Sequence, residues 1–106
     1  FLQLPSYNSN NEQAYHLFLI SINFKKINFS KDKFLKYLNK KKIFCQYHYI
    51  PLYKFKLFPK KNFSLKGSEY YYQNTLSIPI YYNLDLTKQN KVIKVIKNYL
   101  KGKINL

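Results

Sequence analysis

The side chains that could do acid–base, metal or nucleophilic chemistry are few and widely spaced in this 106-residue sequence. The two histidines, His16 and His48, lie far apart, and neither has a carboxylate at metal-ligand spacing. A metal site is therefore not expected. The four acidic residues are Glu12, Asp32, Glu69 and Asp85. No two of them are close enough in the chain to suggest a paired general acid and base.

Cys45 is the only cysteine, which excludes a disulfide within the chain and a cysteine-based zinc cluster. It lies three residues from His48 on a predicted strand, so the two side chains are expected on opposite faces and not as a nucleophilic pair. We expect Cys45 to be a small buried hydrophobic residue. The only glycines, Gly67 and Gly102, exclude a glycine-rich phosphate loop of the usual spacing.

Three segments are predicted to be helices. Two of them are expected over residues 31–41, with Ser30 as the cap, and over 88–101, the clearest, with Thr87 as the cap. The third is a short helix over about 68–75, which is expected without a clear apolar face. In the helix over 88–101, the lysines lie opposite the apolar arc. This arrangement is typical of a helix that packs on a core with its other side in solvent.

Three strands are expected between these helices, over residues 16–22, 43–49 and 76–80, because the segments are short and rich in β-branched and aromatic residues. The polar segment 5–13 is predicted to be a loop. Alternating strands and helices indicate an α/β fold with a small sheet covered by helices on one face. The same alternation is typical of a ferredoxin-like RNA-binding module, so the order of elements leaves both folds open.

The formal net charge of +15 is compatible with a partner such as RNA or an anionic membrane. However, all 19 basic residues are lysine, they are scattered, and the composition is that of A- and T-rich codons. Arginine, which the bidentate recognition of phosphate or guanine favours, is absent. No specific nucleic acid and no membrane partner are therefore expected. The apolar runs are shorter than the ~20 residues of a membrane-spanning helix, and a cytoplasmic location is expected.

Two blocks of sequence carry a family resemblance: Gln46-Tyr-His-Tyr-Ile-Pro-Leu-Tyr53 and Ser68-Glu-Tyr-Tyr-Tyr-Gln-Asn-Thr-Leu-Ser-Ile-Pro-Ile80. They resemble the carboxy-terminal domain of the DegT/DnrJ/EryC1/StrS family of sugar aminotransferases, which are fold type I enzymes that use pyridoxal phosphate. Within the family, the likeness is greatest to members that aminate a UDP-4-keto-6-deoxy sugar on the route to pseudaminic acid. The resemblance implies a small carboxy-terminal domain over residues 14–106, joined by a connecting segment, residues 1–13, to a large domain outside this chain.

The resemblance also implies which residues approach the substrate. His48, Tyr49 and Tyr53 match a segment that runs from a strand into a loop facing the active-site cleft. Ser77 matches a strand end near that cleft, and a direct ligand contact from it is possible but not expected. The chain departs from the family at Lys42, where a glycine or asparagine commonly ends the helix in a left-handed conformation. There a lysine costs roughly 1 kcal/mol if the turn is kept.

The implied enzyme transfers an amino group from glutamate to the UDP-linked keto sugar and acts as a homodimer. No lysine here matches the family's Schiff-base segment, so no catalytic or cofactor-binding residue is expected in this chain. Pyridoxal phosphate would be bound by the large domain, and the chain by itself would be inactive. It starts at Phe1 and contains no methionine, which predicts that it is the tail of a longer protein. The alternative is a small basic module that binds RNA or an anionic surface without catalysis.

Overall fold

In the part of the chain that the structure describes, the fold is a three-stranded antiparallel sheet with three α-helices. A computed structural model describes residues 1–58 and 65–102. The strands are β1 (Leu2–Gln3), β2 (Phe18–Ile22) and β3 (Thr75–Ile78), in the sheet order β1-β2-β3. The helices are α1 (Lys31–Lys40), α2 (Lys66–Asn74) and α3 (Leu86–Lys101), and a short 3₁₀ turn spans Leu52–Lys54. The predicted α/β class is confirmed.

The core lies between the sheet and helices α1 and α3. Ile20 pairs with Leu76 across β2 and β3, and both side chains are buried on the face that the two helices cover. The helices contribute residues at the i, i+4 spacing of an apolar stripe: Phe34 and Leu38 from α1, and Val92, Ile96 and Leu100 from α3. Burial of each such side chain contributes roughly 1.5–3 kcal/mol. This layer holds β2 and β3 in place.

Tyr99 of α3 joins the helices through aromatic contacts. Its ring centroid lies 5.0 Å from that of Phe34, 4.5 Å from that of Tyr37 and 5.3 Å from that of Phe29. These separations are in the range where tilted and edge-to-face rings attract one another. The apolar arc predicted for this helix packs on the core through Val92, Val95, Ile96, Tyr99 and Leu100. Ile93, which is also on the arc, is exposed.

The predicted strand over residues 43–49 is wrong. The segment forms one isolated bridge, in which Gln46 pairs with Ser77 of β3. In an antiparallel ladder, the next hydrogen-bonded pairs would join Phe44 to Pro79 and His48 to Thr75. Proline has no N–H to donate.

Thr75 cannot extend the bridge either. Its N–H donates to the carbonyl of Tyr71, and its carbonyl accepts from the ammonium of Lys31 at 2.7 Å. Both backbone groups on this edge of Thr75 are thus already bonded. The bridge therefore stops at one pair of residues, and the neighbouring chain cannot become a strand.

The cap predicted for α3 is also wrong, because Asp85 and not Thr87 is the N-cap. The Asp85 carboxylate accepts a hydrogen bond from the backbone N–H of Lys88 at 2.8 Å, and this bond lowers the pKa of Asp85. The helix begins at Leu86, two residues before the predicted start. By contrast, Ser30 caps α1 as predicted, accepting from the N–H of Lys33 at 3.4 Å.

The end of α1 keeps a left-handed turn although its residue there is a lysine. Lys42 has φ 59°. The N–H of Lys42 donates to the carbonyl of Asn39 at 2.9 Å, and the N–H of Ile43 donates to that of Leu38 at 3.0 Å. These two bonds form a Schellman motif, and Ile43 and Leu38 are both buried beside it.

Replacing Lys42 by glycine is expected to raise the free energy of unfolding of the chain by about 1 kcal/mol, because glycine adopts this φ without the clash of a Cβ atom. Urea unfolding of the two proteins measures the difference. Lys41→Gly is the matched control, since Lys41 has φ −90° and should gain nothing. If both variants lose stability equally, the left-handed turn at Lys42 is not present in solution.

Replacing Asp85 by alanine is expected to lower the free energy of unfolding by about 1 kcal/mol, because the N–H of Lys88 loses its cap. Thr87→Ala should change it by less than about 0.5 kcal/mol, since Thr87 is exposed inside the first turn of α3. Thermal unfolding of both variants checks the assignment. The reverse order of effects would restore Thr87 as the cap.

Candidate functional site

The bridge between Gln46 and Ser77 places the family-like segment against β3. The N–H of Gln46 donates to the carbonyl of Ser77 at 3.2 Å, and the N–H of Ser77 donates to the carbonyl of Gln46 at 2.9 Å. Two residues later, Nδ1 of His48 lies 3.0 Å from the Ser77 hydroxyl oxygen. Ser77 is buried, with 6% of its surface exposed, and His48 is half-buried. Ser77 therefore holds both the backbone of Gln46 and the imidazole of His48.

Tyr47, which lies between Gln46 and His48 in the chain, is held by the first turn of α1. Its hydroxyl donates to the Asp32 carboxylate at 3.3 Å, and the ammonium of Lys31 lies 4.1 Å from its ring centroid, within cation–π range. Burial, and then the neighbouring negative charge of Asp32, raises the pKa of Tyr47 to about 12. Tyr47 therefore remains a neutral hydrogen-bond donor at ordinary pH.

Lys31 connects α1 to the end of α2. Its Nζ donates to the carbonyl of Tyr72 at 2.6 Å and to that of Thr75 at 2.7 Å. A cation is favourable there, because the last carbonyls of a helix lack partners within the helix. Burial lowers the pKa of Lys31 to about 8, and the Asp32 carboxylate opposes this decrease. Lys31 is a structural link between three elements.

Tyr49 and Tyr53 line one open cleft of about 620 Å³, together with residues that include Leu52, Leu65 and Tyr71. Tyr49 is 71% exposed, and its ring meets the His48 ring edge-on at a centroid distance of 4.8 Å. His48 is not one of the described residues that line this cleft. The structure therefore brings two of the three predicted residues together in a cleft and places the third beside it, against Ser77.

Glu69 of α2 fixes the 3₁₀ turn that carries Tyr53. The Tyr53 hydroxyl donates to one carboxylate oxygen of Glu69 at 2.7 Å, and the Lys54 ammonium contacts the other at 2.8 Å. The bond from Lys54, followed by that from Tyr53, lowers the pKa of Glu69. Sequence reasoning missed this triad, because Glu69 is 16 positions from Tyr53 and no periodicity connects them.

From the sequence, Ser77 is expected at a strand end near the cleft, and its hydrogen bond to His48 is a finding of the structure. The signal that could have revealed it is the position of Ser77 within the strand that precedes Pro79. Lys31 gave no signal of its own. Its partners lie 41 and 44 positions away, so only the folded chain brings them together.

Cys45 is half-buried, and its side chain packs against the core. Burial raises the pKa of its thiol to about 12, so the thiol stays protonated and unreactive near neutral pH. Cys45 is thus a small hydrophobic residue at the core, as predicted, but it is partly and not fully buried. Within residues 1–58 and 65–102, no group of three His, Cys, Asp or Glu side chains is arranged to hold a metal ion. Over the same residues, no helix is long and apolar enough to span a bilayer.

The basic helix α3 does not suit an anionic surface as the alternative function would require. Its apolar side, with Val92, Ile96 and Leu100, is buried in the core. A helix that lies on a membrane needs that side free to enter the lipid. The lysines of α3 are exposed, as expected for a solvated surface.

Comparison with known proteins agrees with the resemblance in the two blocks. The chain is 30% identical over 82 residues to the uncharacterized protein MJ1066 of Methanocaldococcus jannaschii, covering 73% of this chain and 21% of that protein. Its fold matches the aminotransferase TlmJ of Streptoalloteichus hindustanus with a TM-score of 0.81 and 19% identity, over 95% of this chain and 26% of TlmJ.

The fold also matches Helicobacter pylori PseC, an aminotransferase involved in the biosynthesis of pseudoaminic acid. The TM-score is 0.72 with 27% identity, over 82% of this chain and 24% of PseC. The chain thus spans about a quarter of the length of these relatives. The profile of the DegT/DnrJ/EryC1/StrS aminotransferase family matches residues 2–97. The chain therefore belongs to the DegT/DnrJ/EryC1/StrS aminotransferase family.

Proposed function

We propose that this chain is part of a pyridoxal-phosphate-dependent aminotransferase that passes an amino group from glutamate to a UDP-4-keto-6-deoxy sugar. The observation that carries the proposal is its similarity to PseC in both sequence and fold. The family match supports the aminotransferase class, and the likeness to PseC supports a nucleotide sugar as the acceptor. The product would be of the UDP-4-amino-4,6-dideoxy sugar class, of which the N-acetyl-altrosamine derivative is the proposed example.

In this proposal, residues 14–106 form the small carboxy-terminal domain, and residues 1–13 connect it to a large domain. The connecting segment also contributes to the sheet, since Leu2 and Gln3 pair with Ile22 and Ser21 of β2. The intact enzyme would be a homodimer. Its cytoplasmic location stays a prediction.

The lysines that the structure describes do not fit a Schiff-base site for pyridoxal phosphate. Lys31 is the only one of them that is half-buried, and its ammonium is bonded to two backbone carbonyls. The other described lysines are exposed. We therefore place the cofactor in the part of the enzyme outside this chain and assign no step through the cofactor to residues of this chain.

The proposed role of this domain is to bind the sugar nucleotide through His48, Tyr49 and Tyr53. The exposed Tyr49 ring offers an apolar face and a hydroxyl, a combination that suits a sugar or a base. Glu69 keeps Tyr53 in the same cleft. His48 lies beside the cleft, in ring contact with Tyr49. In this proposal, Tyr49 and Tyr53 contact the acceptor in the cleft, and His48 contacts it from beside the cleft.

Replacing His48 by alanine in the intact gene product is expected to raise the Michaelis constant for the UDP-4-keto sugar about tenfold, because one hydrogen bond to the acceptor is lost. The reaction with glutamate alone should be unchanged, since this domain would contact the sugar nucleotide. Steady-state assays with each substrate varied in turn separate the two effects.

His16→Ala is the matched control, because His16 is exposed at a bend before β2 and does not line the cleft. It should leave both constants unchanged. Equal constants for the His48→Ala variant and the unmodified enzyme would reject the role of His48. An intact protein that reacts with glutamate but aminates no nucleotide sugar would reject the proposed acceptor.

A further inference from the structure

The Ser77 hydroxyl has two polar neighbours and only one proton to donate. Its oxygen lies 3.0 Å from Nδ1 of His48 and 3.3 Å from the backbone carbonyl oxygen of Gln46. A carbonyl oxygen accepts hydrogen bonds and cannot donate them. The contact with Gln46 is therefore a hydrogen bond only if the serine donates its proton to that carbonyl.

The same proton cannot serve His48. If the serine donates to the Gln46 carbonyl, the serine oxygen must accept from His48, and Nδ1 must carry a hydrogen. If the serine donates to Nδ1 instead, two oxygen lone pairs face each other at 3.3 Å beside the buried Ser77 side chain. The Gln46 carbonyl keeps its bond from the Ser77 N–H at 2.9 Å in either arrangement. Both contacts of the Ser77 hydroxyl are hydrogen bonds, however, in one arrangement only.

We infer that Ser77 is a positioning residue that holds neutral His48 in the tautomer with hydrogen on Nδ1, so that Nε2 presents a lone pair. The second ring nitrogen makes no hydrogen bond with the part of the chain that the structure describes. Nε2 is therefore the ring nitrogen available to a ligand, and its lone pair accepts a hydrogen bond. It selects a group that donates a hydrogen bond, such as a hydroxyl or an amide N–H, over a carbonyl oxygen.

This part of the inference rests on the proposed function. If the acceptor is a sugar nucleotide, the Nδ1–H tautomer determines which of its groups His48 recognises. A sugar hydroxyl, or the N–H of an acetamido group, is a donor and suits Nε2, whereas the keto oxygen is an acceptor and does not. His48 would thereby orient the sugar through a hydroxyl or acetamido substituent and leave the keto group free. The preference follows from the tautomer, and the tautomer follows from the strand geometry at Ser77.

The tautomer is measured by long-range ¹H–¹⁵N correlation spectra of the ¹⁵N-labelled 106-residue chain, recorded above pH 8 so that the neutral imidazole is observed. Only two histidines contribute signals, and exposed His16 serves as an internal reference, because free imidazole side chains favour the form with hydrogen on Nε2. We expect His48 to show a protonated Nδ1 and an unprotonated Nε2, the opposite of His16.

Ser77→Ala removes the hydroxyl without adding bulk, and His48 should then change to the pattern of His16. Ser77→Thr keeps a hydroxyl and should retain the Nδ1–H form. Gln46→Ala is a further control and should retain the Nδ1–H form of His48, since the carbonyl that accepts from Ser77 belongs to the backbone and remains. The amide signals of β2 and β3 report whether each variant is folded.

A protonated Nε2 on His48 in the unmodified chain would overturn the inference. So would an Nδ1–H form that persists in a folded Ser77→Ala variant, because the tautomer would then not depend on the serine. Neither result depends on aminotransferase activity. Failure of the tautomer inference is therefore distinguishable from failure of the proposed function.

Discussion

The outer edge of β3 has one residue free for pairing, and the candidate site depends on that restriction. The backbone groups of Thr75 are already bonded to Tyr71 and Lys31, and Pro79 has no N–H. Ser77, between them, is left to exchange two hydrogen bonds with Gln46. The chain before and after Gln46 therefore leaves the sheet, and the residues that follow reach the cleft as a loop.

A single bridge contributes little by itself, since each hydrogen bond is worth about 1 kcal/mol net. It persists because its surroundings are fixed independently. Burial of Ile20 and Leu76 under α1 and α3 fixes β3, and Lys31 ties the start of α1 to the end of α2. Asp32 then holds Tyr47, so the bridged segment is restrained on two sides. The position of His48 is a consequence of packing elsewhere in the domain.

Local pattern was sufficient to predict the positions of the three helices and of β2 and β3, and it is clearest for α1 and α3, each of which buries an apolar stripe. It failed at 43–49, where strand formation depends on a partner edge that other residues had already occupied. It also failed at the start of α3, where Asp85 and Thr87 are both of residue types that commonly cap helices and lie two positions apart. Only the hydrogen bond from the N–H of Lys88 identifies Asp85 as the cap. In the site, the family-like blocks indicated His48, Tyr49 and Tyr53. Their supports at Ser77, Glu69 and Lys31 are contacts between residues distant in sequence, which no local pattern contains.

The placement of His48 rests on the bridge between Gln46 and Ser77, and amide hydrogen exchange tests that bridge most directly. The N–H of Gln46 is bonded to Ser77, whereas the N–H of nearby Phe44 makes no hydrogen bond within the residues described. After correction for intrinsic rates, the Gln46 amide should exchange at least about tenfold more slowly than that of Phe44. Equal exchange at the two positions would show that the segment is not attached to β3 and would contradict the site described above.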